Sequence, residues 1–158
     1  MTYALRSTSH KKTLRVGELV GRSLEVGDVV LLRGELGAGK TCLTQGILMG
    51  LDCSDIVRSP TFVLVTEYES EPPLYHVDLY RTASTLEVEN LQLDEYLYGD
   101  GICVIEWAEK GGNLFPEESL NISMSSISEE TRLLEFDLPS HLIDGLSGNL
   151  EKEFELTV

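Results

Sequence analysis

The chain has 158 residues, 42% of them hydrophobic and 25% charged, which suits one folded domain with a substantial core and excludes a fibrous or disordered chain. A formal net charge of −15 argues against unaided binding to a nucleic-acid backbone, although an acidic surface that only aids solubility is the plainer reading. No N-terminal stretch has the basic-then-apolar build of a secretion signal, and no apolar run reaches membrane-spanning length; a cytoplasmic protein with no membrane partner is expected.

In chain order, Thr2 to Leu5 reads as a short edge strand. Ser9 is placed to cap a helix over His10 to Leu24, with Leu14, Gly17, Val20 and Leu24 near one side. Gly27-Asp28 turns the chain into Val29-Val30-Leu31-Leu32, a short buried strand, and Lys40 to Leu51 reads as a helix with Leu43, Ile47 and Leu48 on one face. Phe62 to Tyr68 and Leu74 to Leu79 read as two strands whose short connection predicts an antiparallel pair. Ser84-Thr85-Leu86-Glu87 has capping-box spacing and opens a short helix; a second helical piece covers Leu93 to Tyr98. Ile102 to Ile105 is a buried strand ending at Glu106-Trp107, and Leu120 to Met124 and Leu133 to Leu138 form a last pair of strands. A weak helix and frayed tail are expected after Pro139. The sum is a single α/β domain over residues 1–158, with a core from about 10 to 138, a mixed sheet and flanking helices, in the manner of phosphate-loop nucleotide hydrolases.

The organising stretch is Gly34-Glu35-Leu36-Gly37-Ala38-Gly39-Lys40-Thr41, a G-x-x-x-x-G-K-[ST] loop between a strand and a helix. Glycines let successive backbone N–H groups turn inward around phosphate oxygens, and the helix start adds the positive end of its dipole. Lys40 would reach the outer phosphates and the Thr41 hydroxyl would bind Mg²⁺. Such a site needs a second acid near the metal, at the end of a neighbouring strand. Four apolar residues before Glu106 imply a central strand and favour it over Asp78, which could instead orient or deprotonate the attacking water. Thr61, in Ser59-Pro60-Thr61-Phe62, either faces the γ-phosphate as a switch-like group or belongs to a simple loop entry. Trp107 could touch a base or a partner or be a half-buried core residue; Arg132 could stack on adenine or lie on the surface.

His76 has no companions at metal-ligand spacing and reads as structural. Cys42, Cys53 and Cys103 are odd in number and form no C-x-x-C pair, so free thiols in a reducing compartment are expected; packing is the plainer role for Cys42. No Asn-Lys-x-Asp guanine-reading motif is present, which points to ATP. The seven arginines are scattered, without the lid cluster of a small-molecule kinase, so that alternative is the weaker one and a slow, partner-dependent ATPase the stronger.

Four motifs, in this order and spacing, carry a resemblance that runs from about Thr13 to Leu138. They are the phosphate loop with Leu43-Thr44; Ser59 to Phe62 with Leu64-Val65 and Glu67-Tyr68; His76-Val-Asp-Leu-Tyr-Arg81; and Ile105-Glu106-Trp107. Together they closely resemble the bacterial tRNA threonylcarbamoyladenosine biosynthesis ATPase family, TsaE or YjeE. The resemblance implies an accessory ATPase that works with the TsaD–TsaB threonylcarbamoyl transferase, meets tRNA only through that complex, and helps reset it between turnovers. It further implies that Gly37, Ala38, Gly39, Lys40 and Thr41 hold the phosphates, with Glu35, Leu36 and Cys42 in or beside the loop. Thr41 and Glu106 would bind Mg²⁺, Asp78 would support hydrolysis, and Trp107 and Thr61 would flank the site. Arg132 and the Thr8 region would contact the nucleoside. Cys42, Gln45 and Gln92 depart from the family pattern, where Thr, Arg and Gly are usual, and leave the partner surface less defined than the nucleotide site.

Overall fold

Val29–Arg33 (β2) is apolar at four consecutive positions because both faces of the strand are covered. The computed structural model describes residues 1–58 and 64–158. Among them the other strands are Thr2–Ser7 (β1), Val65–Tyr68 (β3), Leu74–Asp78 (β4), Ile102–Glu106 (β5), Leu120–Ser126 (β6) and Arg132–Asp137 (β7). They form one mixed sheet in the order β1-β7-β6-β2-β5-β4-β3. β2 runs parallel to both β5 and β6, and β4 parallel to β5; the edges are closed by antiparallel pairs, β1 on β7 and β3 on β4. The α/β fold with a mixed central sheet is the one predicted. Of the strand expected over Phe62 to Tyr68, Val65 onward forms β3, while Phe62 and Val63, like Thr61, lie outside the described residues.

One face of the sheet is covered by His10–Ser23 (α1) and Lys40–Gly50 (α2), which bury Val16, Val20, Leu43, Ile47 and Leu48 against Val30, Leu32 and Val104. Ser9 caps α1 as expected, its hydroxyl accepting from Lys12 N–H at 3.1 Å. Leu14 is only half-buried, because α1 turns a glycine edge rather than its leucines toward α2. A Cβ on Gly46 would stand 2.3 Å from the Leu14 carbonyl oxygen and 2.8 Å from Gly17 Cα, so the two helices touch backbone to backbone. Gly21 and Gly50 continue the same seam one turn on.

The opposite face packs Thr85–Asn90 (α3) and Asp94–Leu97 (α4) on Val77, Ile105 and Cys103. The chain after Pro139 is better ordered than a frayed tail. Ile143–Glu151 (α5) buries Leu146 and Leu150 fully, Arg15 forks onto both Glu153 oxygens at 2.8 Å, and Thr157 exchanges two backbone hydrogen bonds with Ala4. The last residues thereby satisfy polar groups on the outer edge of β1. Among the described residues no helix is long and apolar enough to cross a membrane.

Candidate nucleotide site

β2 ends at the glycine loop, and the loop ends on the first turn of α2. Gly37 and Gly39 hold φ of 82° and 104°, a backbone region that L side chains rarely adopt. A Cβ on Gly37 would meet nothing within 4 Å, so the loop stays open toward a cavity of about 430 Å³. β4 and β5 run parallel beside β2 and deliver Asp78 and Glu106, which are register partners, to the same end of the sheet. The cavity is lined by the Gly39 to Cys42 turn, by Asp78, Glu106 and Trp107, and by His10 and Arg132.

The Thr41 hydroxyl lies 3.2 Å from Glu106 Oε1 and 3.4 Å from Oε2, so the loop hydroxyl and the central-strand acid meet across β2 and β5. Lys40 is 5% exposed; its ammonium donates to the carbonyls of Gly34 and, at 3.0 Å, Glu35, and sits 4.1 Å from the centre of the Trp107 ring. Burial pulls the Lys40 ammonium below its usual range, against the opposing pull of Glu106, Glu109 and Asp78. Burial likewise raises the Asp78 carboxyl, helped by Glu106; the Tyr80 N–H, donating to Oδ1 at 2.9 Å, works the other way. Cys42 is pushed up to about 11 by burial, with Arg132 opposing, which makes it a packing thiol rather than a nucleophile at neutral pH.

Trp107 is half-buried, holds a left-handed φ of 59°, and packs against Tyr80 in a tilted ring contact with centroids 5.0 Å apart. Arg132 lines the cavity and also braces the loop. Its guanidinium donates to Ala38 O at 3.1 Å and Gly37 O at 3.4 Å, and to carbonyls of the β6–β7 turn. Ala38 is buried under the loop, while Glu35 and Leu36 are exposed at its tip. Thr8 lies outside this cavity: its hydroxyl accepts from Lys12 Nζ at 2.8 Å and lines a separate cleft beside the C-terminal segment. His10 lies nearer, its ring 3.4 Å from the Cys42 sulfur. Gln45 turns inward, its amide bonding Asp55 O at 2.9 Å and Val57 N–H at 2.7 Å, and so anchors the connection after α2. Gln92 holds φ of 53°, the conformation that makes glycine the easier residue there.

Sequence reasoning missed one member. His76, read as structural, is fully buried with Nε2 2.5 Å from Glu106 Oε2. The available signal was its spacing: two residues before Asp78, it shares that strand face.

A family model described as Threonylcarbamoyl adenosine biosynthesis protein TsaE matches residues 7–134. The chain is 42% identical over 126 residues to the tRNA threonylcarbamoyladenosine biosynthesis protein TsaE of Treponema pallidum, covering 80% of this chain and 93% of that protein. It is 39% identical over 132 residues to the protein of that name from Bacillus subtilis, covering 83% and 82%. The crystal structure of Bacillus subtilis YdiB superposes with a TM-score of 0.80 at 31% identity over 96% of this chain and 95% of that one. With the glycine loop and the strand-end acids inside the matched span, this chain belongs to the TsaE family.

Proposed function

We propose that this protein binds ATP with Mg²⁺ at the β2–α2 loop, hydrolyses it slowly, and acts in tRNA threonylcarbamoyladenosine biosynthesis as an accessory to the TsaD–TsaB transferase rather than as the transferase. The observation that carries the reading is the meeting of the Thr41 hydroxyl and the Glu106 carboxylate at 3.2 Å, at the mouth of a glycine loop open to a cavity. Both are hard oxygen donors of the kind magnesium takes. The ion would supply positive charge to the phosphates.

The chain's own groups divide the remaining work. Backbone N–H groups of Gly37 to Thr41 bind phosphate oxygens, and the Lys40 ammonium adds positive charge beside them. Asp78, held by the Tyr80 N–H, orients the attacking water; Trp107 packs over Lys40 and walls the site, and Arg132 keeps the loop in shape from behind. Thr61 would flank the phosphate side. The names of the relatives, all threonylcarbamoyladenosine biosynthesis proteins, support the pathway.

The test has two arms. Lys40→Ala should lose ATP binding by at least tenfold in a fluorescent-nucleotide titration while keeping its circular dichroism; unchanged affinity would remove the site. Size-exclusion chromatography with TsaD–TsaB should show co-elution that depends on ATP and Mg²⁺, and independence from nucleotide would separate binding from this cavity.

A further inference from the structure

His76 is fully buried on β4, between β3 and β5. Its Nε2 lies 2.5 Å from Glu106 Oε2, and its Nδ1, equally buried, has no hydrogen-bond partner among the described residues. That asymmetry fixes the ring. A proton on Nδ1 would leave a buried donor unmatched and would set the bare Nε2 lone pair against a carboxylate oxygen. A proton on Nε2 instead donates to Oε2 and leaves only an acceptor unused, the cheaper arrangement. The Glu106 carboxyl is then held from both sides: Oε2 by the imidazole, and Oε1 toward the Thr41 hydroxyl at 3.2 Å. The two side chains stand on adjacent, directly paired parallel strands, with His76 opposite Val104 and Asp78 opposite Glu106.

We propose that His76 is a positioning residue: its Nε2–H locks the Glu106 carboxylate so that Oε1 faces Thr41 and the cation. This rests on the reading of Glu106 as a magnesium ligand. A side chain that orients a ligand through its free hydrogen-bonding atom commonly changes metal affinity by about 10–100-fold when removed. A merely structural histidine would change stability and leave cation affinity alone.

The experiment uses the full chain with a non-hydrolysable ATP analogue, and Mn²⁺ as a paramagnetic substitute for Mg²⁺. Cation affinity is read by electron paramagnetic resonance, metal-free nucleotide affinity by fluorescence titration, and folding by thermal melting. His76→Leu is expected to weaken Mn²⁺ binding by about tenfold with metal-free nucleotide affinity unchanged. His76→Gln, whose amide N–H reaches the Nε2 position, is expected to recover most of the cation affinity. Wild-type Mn²⁺ affinity in His76→Leu would overturn the proposal, as would a parallel loss of metal-free nucleotide binding. If His76→Leu does not fold, His76→Gln decides alone: near-wild-type cation affinity supports the role and a tenfold loss overturns it. Glu106→Gln separates the two readings. If it leaves Mn²⁺ affinity intact, the metal role of Glu106 fails and takes the proposal with it; if it weakens Mn²⁺ while His76→Leu does not, only the role of His76 fails.

Discussion

Asp78 carries the clearest conflict between stability and chemistry. Burial disfavours its charge, and the neighbouring Glu106 carboxylate disfavours it further; only one backbone N–H and more distant cations compensate. Asn at this position keeps an oxygen for the Tyr80 N–H and removes the charge. Asp78→Asn is therefore expected to raise the melting temperature while cutting ATP hydrolysis, measured by calorimetry and a coupled phosphate assay. A variant that melts lower would show that the carboxylate is stabilising where it stands. The acids were legible in the sequence because an apolar run ending in Asp or Glu marks a strand reaching a site. The contact of His76 with Glu106 was not: the spacing to Asp78 marks the shared strand face, but a partner 30 residues away is set only by how the parallel strands pair. Arg132 was legible as an arginine near the site, but its grip on Ala38 and Gly37 depends on how the β6–β7 turn folds over the loop.

Among the elements, the glycine seam between α1 and α2 sets two opposing effects against each other. Gly46→Ala gains about 1 kcal/mol of helix propensity. Its Cβ, however, would stand 2.3 Å from a backbone oxygen that cannot rotate away, and prying packed elements apart costs about 1–3 kcal/mol or more. The clash should win, and Gly46→Ala should unfold at lower urea than wild type. Gly145→Ala in α5, where a Cβ meets nothing within 4 Å, should shift the midpoint the other way by about 0.5–1 kcal/mol. Equal effects at the two positions would show that backbone contact is not what the seam provides. Strand and helix positions were readable from periodicity to within a few residues. The seam was not, since glycines in a helical pattern lower its amphipathic signal, and α5 was underestimated because Gly145, Ser147 and Gly148 dilute its three leucine and isoleucine anchors.

At the scale of the whole molecule, the parallel core of β4, β5, β2 and β6 is flanked by antiparallel edges, and the site gathers where the parallel strands end. That is the crevice position expected of open α/β sheets. The parallel core could be inferred from the loop motif, but the strand order could not, because sequence order and sheet order diverge from the first strand, which pairs with β7. The charge of −15 has its own consequence. The isolated protein is expected to show no tRNA retention in filter binding at about 0.1 M salt, where screening is partial. Retention that falls with added salt would instead reveal a basic face strong enough to outweigh the overall charge.

The contact between α1 and α2 also governs how the molecule can move. Two helices that meet through glycine backbones have no intervening side chains to change rotamer, so neither can slide or roll without the other. α2 begins at the phosphate loop, α1 begins at His10 on the wall of the same cavity, and α5 rests on α1 with its chain end clasped to β1. A push delivered at the loop is thus carried as a rigid lever to the opposite edge of the sheet.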